Sequence, residues 1–412
     1  MKKSLIFLFL ILILLFISFL FYKKIEKFED INRLRFNEVL ELPIIDYKPR
    51  LPQLKKYLND PNIEIVFPEL LKDKIISIDN YRNKQIIYKL NNIKYKLKYN
   101  PKDQKNYIVS CLGIDSDNKI ISITNKYLSY LSIINFVPFN EDIENLTIIY
   151  NELVNDNTEE TIEEDVFLFI DCFAYAAFHN LDDIYNTLYI YKKNNMKCKL
   201  LVIKTTNFFY NQSLISLNKY FKIDYIFLDF NKNYLFKNLY ITRQYCFLQK
   251  ETKQFIDNEY LRKIINNYKG KPFFENIALI KYVDPTNIST WDTFDKSEKF
   301  FEFCKKHTIV DININYKNDL EYKIYLINKA KKIIVNYHTI FNVNIYKHCI
   351  DLSNKEIFVI NGGNRQTIQN IDFEFEKIGD NLYNTYGRPM RGEVFNDIKT
   401  LDEVVDKLEK YF

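Results

Sequence analysis

From about Tyr107 onward, short runs rich in β-branched and aromatic residues take turns with stretches whose apolar positions recur every three to four residues. The first pattern predicts strands and the second helices. Strands are expected at 107–112, 166–170, 199–203, 225–228, 239–242, 277–281, 308–311, 332–336 and 356–360. Helices are expected at 174–193, 214–221, 252–267, 296–306, 320–331 and 341–348. Alternation at this spacing means βαβ units and parallel sheets, an α/β fold whose ligands bind at the carboxyl ends of the strands. The segments after Ile170, Lys281, Asn336 and Ile360 are therefore the places to search. Beyond Asn396, the spacing of Ile398, Leu401, Val404, Val405, Leu408 and Phe412 predicts a last helix packed back across the lobes.

Two features divide the chain. Before about residue 105 the text is polar and holds Pro43, Pro49, Pro52, Pro61 and Pro68, which reads as a stem and lead-in segment. In Asn267–Phe273, Gly270 and Pro272 interrupt the pattern between a helix and a strand and mark a lobe boundary. The expected organisation is 1–22 as anchor, 23–105 as stem, and lobes over 106–268 and 269–412.

The anchor is Ser4–Tyr22, SLIFLFLILILLFISFLFY, without a charge and bounded by Lys2-Lys3 and Lys23-Lys24. At 1.5 Å per residue it spans about 30 Å of hydrocarbon as a helix. It ends in Phe19-Leu20-Phe21-Tyr22 rather than the small residues of a signal-peptidase site, so it is expected to be retained. Lys23, Lys24, Lys27, Arg33 and Arg35 outnumber the cations before it, which favours a cytosolic body. Sequons at Asn145, Asn211 and Asn287 would permit a lumenal one.

Composition changes this picture in two places. A net charge of +5 over 412 residues, with lysines scattered among asparagines, implies no nucleic-acid partner. Only 7 glycines occur, and the bias toward Asn, Ile, Lys and Tyr fits an AT-rich genome. Gly362-Gly363 then stand out as backbone positions needing positive φ. The 6 cysteines form no CxxC pair, which argues against zinc ribbons and favours free buried thiols.

Two constellations carry candidate chemistry. After the strand VFLFI, His179 and Asp183 stand four apart and share one helix face. A carboxylate beside an imidazole raises its pKa and sets its tautomer, as general-base work requires. In the second, the apolar strand Ile333–Asn336 leads into His338, with a helix expected from Thr339. Free N–H groups and partial positive charge at a helix start suit a diphosphate. Lys281 and Arg243, at strand ends, are further phosphate candidates. Asp115-Ser-Asp117 has the Asp-x-Asp form of some metal sites but reads as a turn. His307 and His348 lie in lysine-rich, surface-like text.

Taken in order, these segments resemble the family 61 glycosyltransferases. The matching pieces are Phe178-His179 through Asp183, the block from Cys198 to Phe230, Asn238–Thr242, Ala278–Lys281, and Ala330 to Asn344 with His338 in the family's histidine position. Together they cover 166–360. Where the family has glycines beside that histidine, this chain has Asn336 and Thr339; its strand-end arginine is Lys281, and the aromatic after the first histidine is Asn180.

The resemblance implies a GT-B-like pair of Rossmann-type lobes, the first on the acceptor side and the second holding a UDP-sugar. It implies inverting transfer to a hydroxyl of a protein or glycan, with no obligatory metal or other cofactor, and a body in the lumen behind a membrane anchor. Either His179 or Asp183 would be the base. His338, Thr339, Lys281 and Arg243 would face the diphosphate, and Asn344 would support the loop. The competing reading is a binding or scaffold protein on the same lobes, without turnover.

Overall fold

The computed structural model describes residues 65–66, 75–78, 86–99, 109–118, 120–121, 148–155, 159–169, 177–204, 208–230, 232–243, 250–283, 293–316, 318–337, 341–363, 375–378, 381–384 and 389–412. The expected anchor at 4–22 lies outside them. Among the described residues no helix is long and apolar enough to cross a membrane.

The fold is α/β with parallel sheets. Its first part runs β1 (Ile65–Val66), β2 (Ile75–Ile78), β3 (Ile86–Tyr99), β4 (Val109–Ile114), β5 (Ile120–Ile121), α1 (148–155), β6 (Glu159–Leu168), α2 (Ala177–Lys193), β7 (Lys199–Ile203), α3 (Phe208–Phe221), β8 (Tyr225–Leu228) and β9 (Asn233–Arg243). A helix here named α4 follows, from Lys250–Ile256 through a π-helical stretch, Asp257–Leu261, to Arg262–Asn267. The strands form a nine-stranded sheet in the order β1-β5-β4-β3-β9-β6-β7-β8, with β2 on β3. β9, β6, β7 and β8 are parallel, whereas β3 pairs antiparallel with β9 and β4. β3, 14 residues long, comes from the expected lead-in segment. Ile87, Leu90, Ile93, Tyr95 and Leu97 put that segment into the core of the sheet.

The second part comprises β10 (Asn276–Leu279), α5 (Glu298–Lys306), β11 (Ile309–Asp311), the single turn α6 (Ile312–Asn315), α7 (Leu320–Lys329), β12 (Lys332–Asn336), π-helical α8 (Phe341–Lys347), β13 (Glu356–Gly362), β14 (Phe375–Ile378), β15 (Asn381–Asn384), β16 (Pro389–Ile398) and α9 (Leu401–Leu408). Its sheet has the order β11-β10-β12-β13-β16-β15-β14, parallel through β16 and closed by the antiparallel β15 and β14.

Alternation along the parallel strands builds two cores. Ile277, Leu279, Ile333, Val335, Ile357 and Val359 face α7 and α8. Ala278, Ile280, Ile334, Phe358 and Ile360 face α5 and α9. With helices on both faces, neither parity of the strand meets water, which is why these strands read as continuous apolar runs.

The last helix packs on α5 and β16 of its own sheet rather than across the lobes. Its start is capped by Thr400, which accepts from Glu403 N–H. Lys299–Asp406 and Lys306–Glu409 ion pairs, 2.6 and 2.8 Å, line the α5–α9 seam.

Every described element from β1 onward belongs to one compact unit, Ile63–Phe412. The core of the first sheet takes in Ile324 of α7 and Val343 and Tyr346 of α8, so the two sheets share buried apolar contacts.

Candidate functional site

In the second sheet the chain moves from β10 outward to β11, then returns to place β12 on the other side of β10. At such a reversal the two following connections leave in opposite directions, and a crevice opens above the carboxyl ends of the central strands. The ends of β10 and β12 lie there. Backbone pairing runs as far as Leu279 with Val335. One rung higher, Lys281 N–H donates to Oδ1 of Asn336 at 2.7 Å, so a carboxamide continues the ladder where a glycine could not. Asn336 is 1% exposed.

Three more contacts hold this strand end. Asn313 Nδ2 donates to the Ile280 carbonyl at 3.2 Å. Phe294 N–H donates to the Lys281 carbonyl at 2.9 Å. The Tyr282 hydroxyl donates to Oδ2 of Asp311 at 2.8 Å. Asp311 ends β11, is 7% exposed, and also accepts from Asn313 N–H at 2.9 Å as the cap of α6. Lys323 of α7 completes the group, donating to Asn313 Oδ1 at 2.8 Å.

Burial sets the electrostatics. Desolvation pushes the Asp311 carboxyl up to about 6, against the opposing pull of Tyr282, nearby backbone N–H groups and Lys323. It lowers the Lys323 ammonium to about 8, against the attraction of Asp311. Burial, and then the Asp311 charge, raise the Tyr282 phenol well above its ordinary range. The Cys304 thiol rises to about 12, mostly by burial.

Gly363, after β13, has φ +104 and would bring a Cβ within 2.6 Å of the Thr293 carbonyl oxygen. The positive φ expected for this glycine is present, and close backbone approach explains it.

The expected site residues fall as follows. Lys281 lies just past β10 and is partly buried. His338 and Thr339 lie outside the described residues. Asn344 is buried in α8, 5% exposed. The helix expected from Thr339 is described as a π-helix from Phe341. Arg243 ends β9, opposite Ile86, and His179 and Asp183 lie early in α2; the side chains of these three lie outside the described residues. α2 packs on α8, the helix that carries Asn344.

Asp115 forms a turn, its carboxylate accepting from Asp117 N–H at 2.9 Å, with Asn118 at φ +60. Among the described residues no three His, Cys, Asp or Glu side chains are grouped to hold a metal. Cys304 and Cys349 are buried thiols and Cys198 is a partly buried one.

One sequence reading is corrected here. His348, set in surface-like text, is 1% exposed. The Asp311–Asn313–Lys323 group escaped the sequence, although the signal was present: Asp311 terminates an expected strand, the same position that singled out Lys281 and Asn336.

No protein-family model matches the chain. It is 27% identical over 315 residues to a RING finger protein of Plasmodium falciparum, an alignment covering 68% of this chain and 23% of that protein. The chain thus spans about a quarter of the length of this relative.

Proposed function

We propose that this chain is an inverting glycosyltransferase that moves a sugar from a UDP-sugar to a hydroxyl of a protein or glycan. In this reading the two sheets are a GT-B-like pair of Rossmann-type lobes divided near residue 268, the first taking in β3 (Ile86–Tyr99) from the expected lead-in segment. The segment 4–22 tethers them to a membrane, with the body in the lumen. The observation that carries the reading is the Lys281–Asn336 contact at the reversal of strand order. It joins the two strand ends from which the resemblance draws its diphosphate ligands.

Lys281 and Arg243 supply positive charge to the diphosphate, with His338 and Thr339 beside it and Asn344 behind the loop. Stabilising the departing diphosphate acts on charge that develops in the transition state, the most effective place for it. His179 or Asp183 takes the acceptor proton, a step worth about 10²–10⁴-fold. Lys281 makes point-charge contacts where an arginine would make a bidentate one.

A second reading keeps the same site without turnover. Asn336 and Tyr337 are both buried, and an enclosed strand end also suits a binding protein. Incubating the full chain with a panel of sugar nucleotides, following UDP release and the acceptor's intact mass, separates the two. Transfer establishes the enzyme, and UDP binding without donor consumption establishes the binding protein. Absence of any UDP binding removes both.

A further inference from the structure

We infer that Asp311, Asn313 and Lys323 form a cradle that positions Lys281 for an anionic ligand over the β10–β12 crevice. The inference rests on the proposed donor site and adds to it three residues that do not touch the ligand themselves.

Lys281 follows β10, where ladder pairing has stopped, so its direction depends on what holds the neighbouring backbone. Asn336 fixes its N–H and Phe294 its carbonyl. The residues on either side are each held by a side chain from the β11–α6 connection: Ile280 by Asn313 and Tyr282 by Asp311. Those two are tied together by the bond from Asn313 N–H to Asp311, and Lys323 orients the Asn313 amide by donating to its Oδ1. With its oxygen occupied by an ammonium, the carboxamide must present Nδ2 to Ile280. The orientation that pins the strand end is therefore determined by a charge on a different helix.

Beside the backbone pairing of Lys281 and Val283 with Phe294, a buried carboxyl, a half-buried amine and an amide converge on the residues flanking one lysine. Asp311 faces Tyr282, Lys323 and Cys304.

The test is UDP affinity by calorimetry on the full chain, with the melting temperature recorded for every variant. Lys281→Ala and Asn313→Ala are each expected to weaken UDP about tenfold, since displacements of an ångström have effects of that order or more. The double variant is expected to be no weaker than Lys281→Ala alone, because Asn313 acts through the lysine. Asp311→Ala is expected to weaken UDP, and Asp311→Asn, whose single carbonyl oxygen can accept from Tyr282 or from Asn313 N–H but not from both, to recover part of the affinity. Should Asn313→Ala fail to fold, Asn313→Asp keeps the acceptor for Lys323, removes the donor to Ile280, and decides the matter. If Lys281→Ala weakens UDP while the Asn313 variants do not, or if their effects add, the cradle is overturned and the donor site stands. If the unmodified chain binds no UDP, the donor site falls and the cradle with it.

Discussion

The Tyr185 hydroxyl on α2 lies 3.0 Å from Nε2 of His348, just past α8, a buried hydrogen bond between a helix of the first sheet and a segment of the second. The imidazole packs among cations: Lys253, Lys347 and Lys323 add to burial in lowering its pKa to about 3. Lys253 is itself paired with Asp257 and donates to the Cys349 carbonyl at 3.2 Å. A neutral histidine is the form this surrounding accepts.

That fact gives a pH dependence with a definite sign. An unfolded histidine takes up a proton below about 6.5, and the folded one resists until about 3. This group's contribution to stability is therefore complete above pH 6.5 and falls as pH drops toward 3, with a slope of up to about 1.4 kcal/mol per pH unit. His348→Gln, which cannot ionise, is expected to flatten the slope in urea unfolding between pH 4 and 7. An identical slope in the variant would place the acid sensitivity elsewhere.

Asp311 acts in the opposite direction. Its folded carboxyl keeps a proton up to about 6, whereas the unfolded one loses it near 3.8. Its favourable contribution is present below pH 3.8 and is lost as pH rises through 6. Relative to Asp311→Asn, the unmodified chain should lose on the order of 3 kcal/mol across that window. Paired denaturation curves at pH 4 and 7 measure this, and a constant difference between the two proteins would refute it.

Glu321 of α7 joins the sheets by a second route. Its carboxylate accepts from Ser216 at 2.9 Å, Lys219 at 2.7 Å and Tyr220 at 3.1 Å, all on α3. Its side chain is 12% exposed and Ser216 is buried, so the Ser216 hydroxyl left by Glu321→Ala would be poorly rehydrated, whereas Lys219, 54% exposed, would turn to solvent. A loss of about 2–3 kcal/mol is expected, with one cooperative transition retained because the apolar core also spans the sheets. Calorimetry showing two separated transitions in the unmodified chain would mean that the sheets melt independently.

The base assignment has its own test. His179→Ala and Asp183→Asn are each expected to cut turnover by about 10²-fold or more with donor binding intact, and the double variant to add little. The neutral limb of the pH–rate profile should vanish with His179→Ala. Modest, additive losses with an unchanged profile would reduce the pair to a surface contact.

Much of the architecture was legible in the chain because periodicity reports burial directly. Lys199–Ile203, Tyr225–Leu228 and Lys332–Asn336 appear with the bounds the pattern predicts, and α7 begins where expected, at Leu320. A strand covered on both faces must be apolar at every position, and a few residues suffice to reveal it. The pattern also carried the α/β class and the places to search at strand ends. It did not carry pairing. That Ile86–Tyr99 lies beside β9, or that β16 extends the second sheet beside β13, depends on partners far away in sequence. Nor did it carry the environment of polar side chains. His348 looked like a surface residue because its neighbours in sequence are lysines, but packing buries Lys347 and His348 together under α2 and α4. Asp311 looked like the end of a strand, and only the neighbouring strand and helix make it a buried carboxyl holding the Tyr282 hydroxyl beside Lys281. Local spacing determines which face a residue occupies; what it meets there is decided by elements that the chain brings together only on folding.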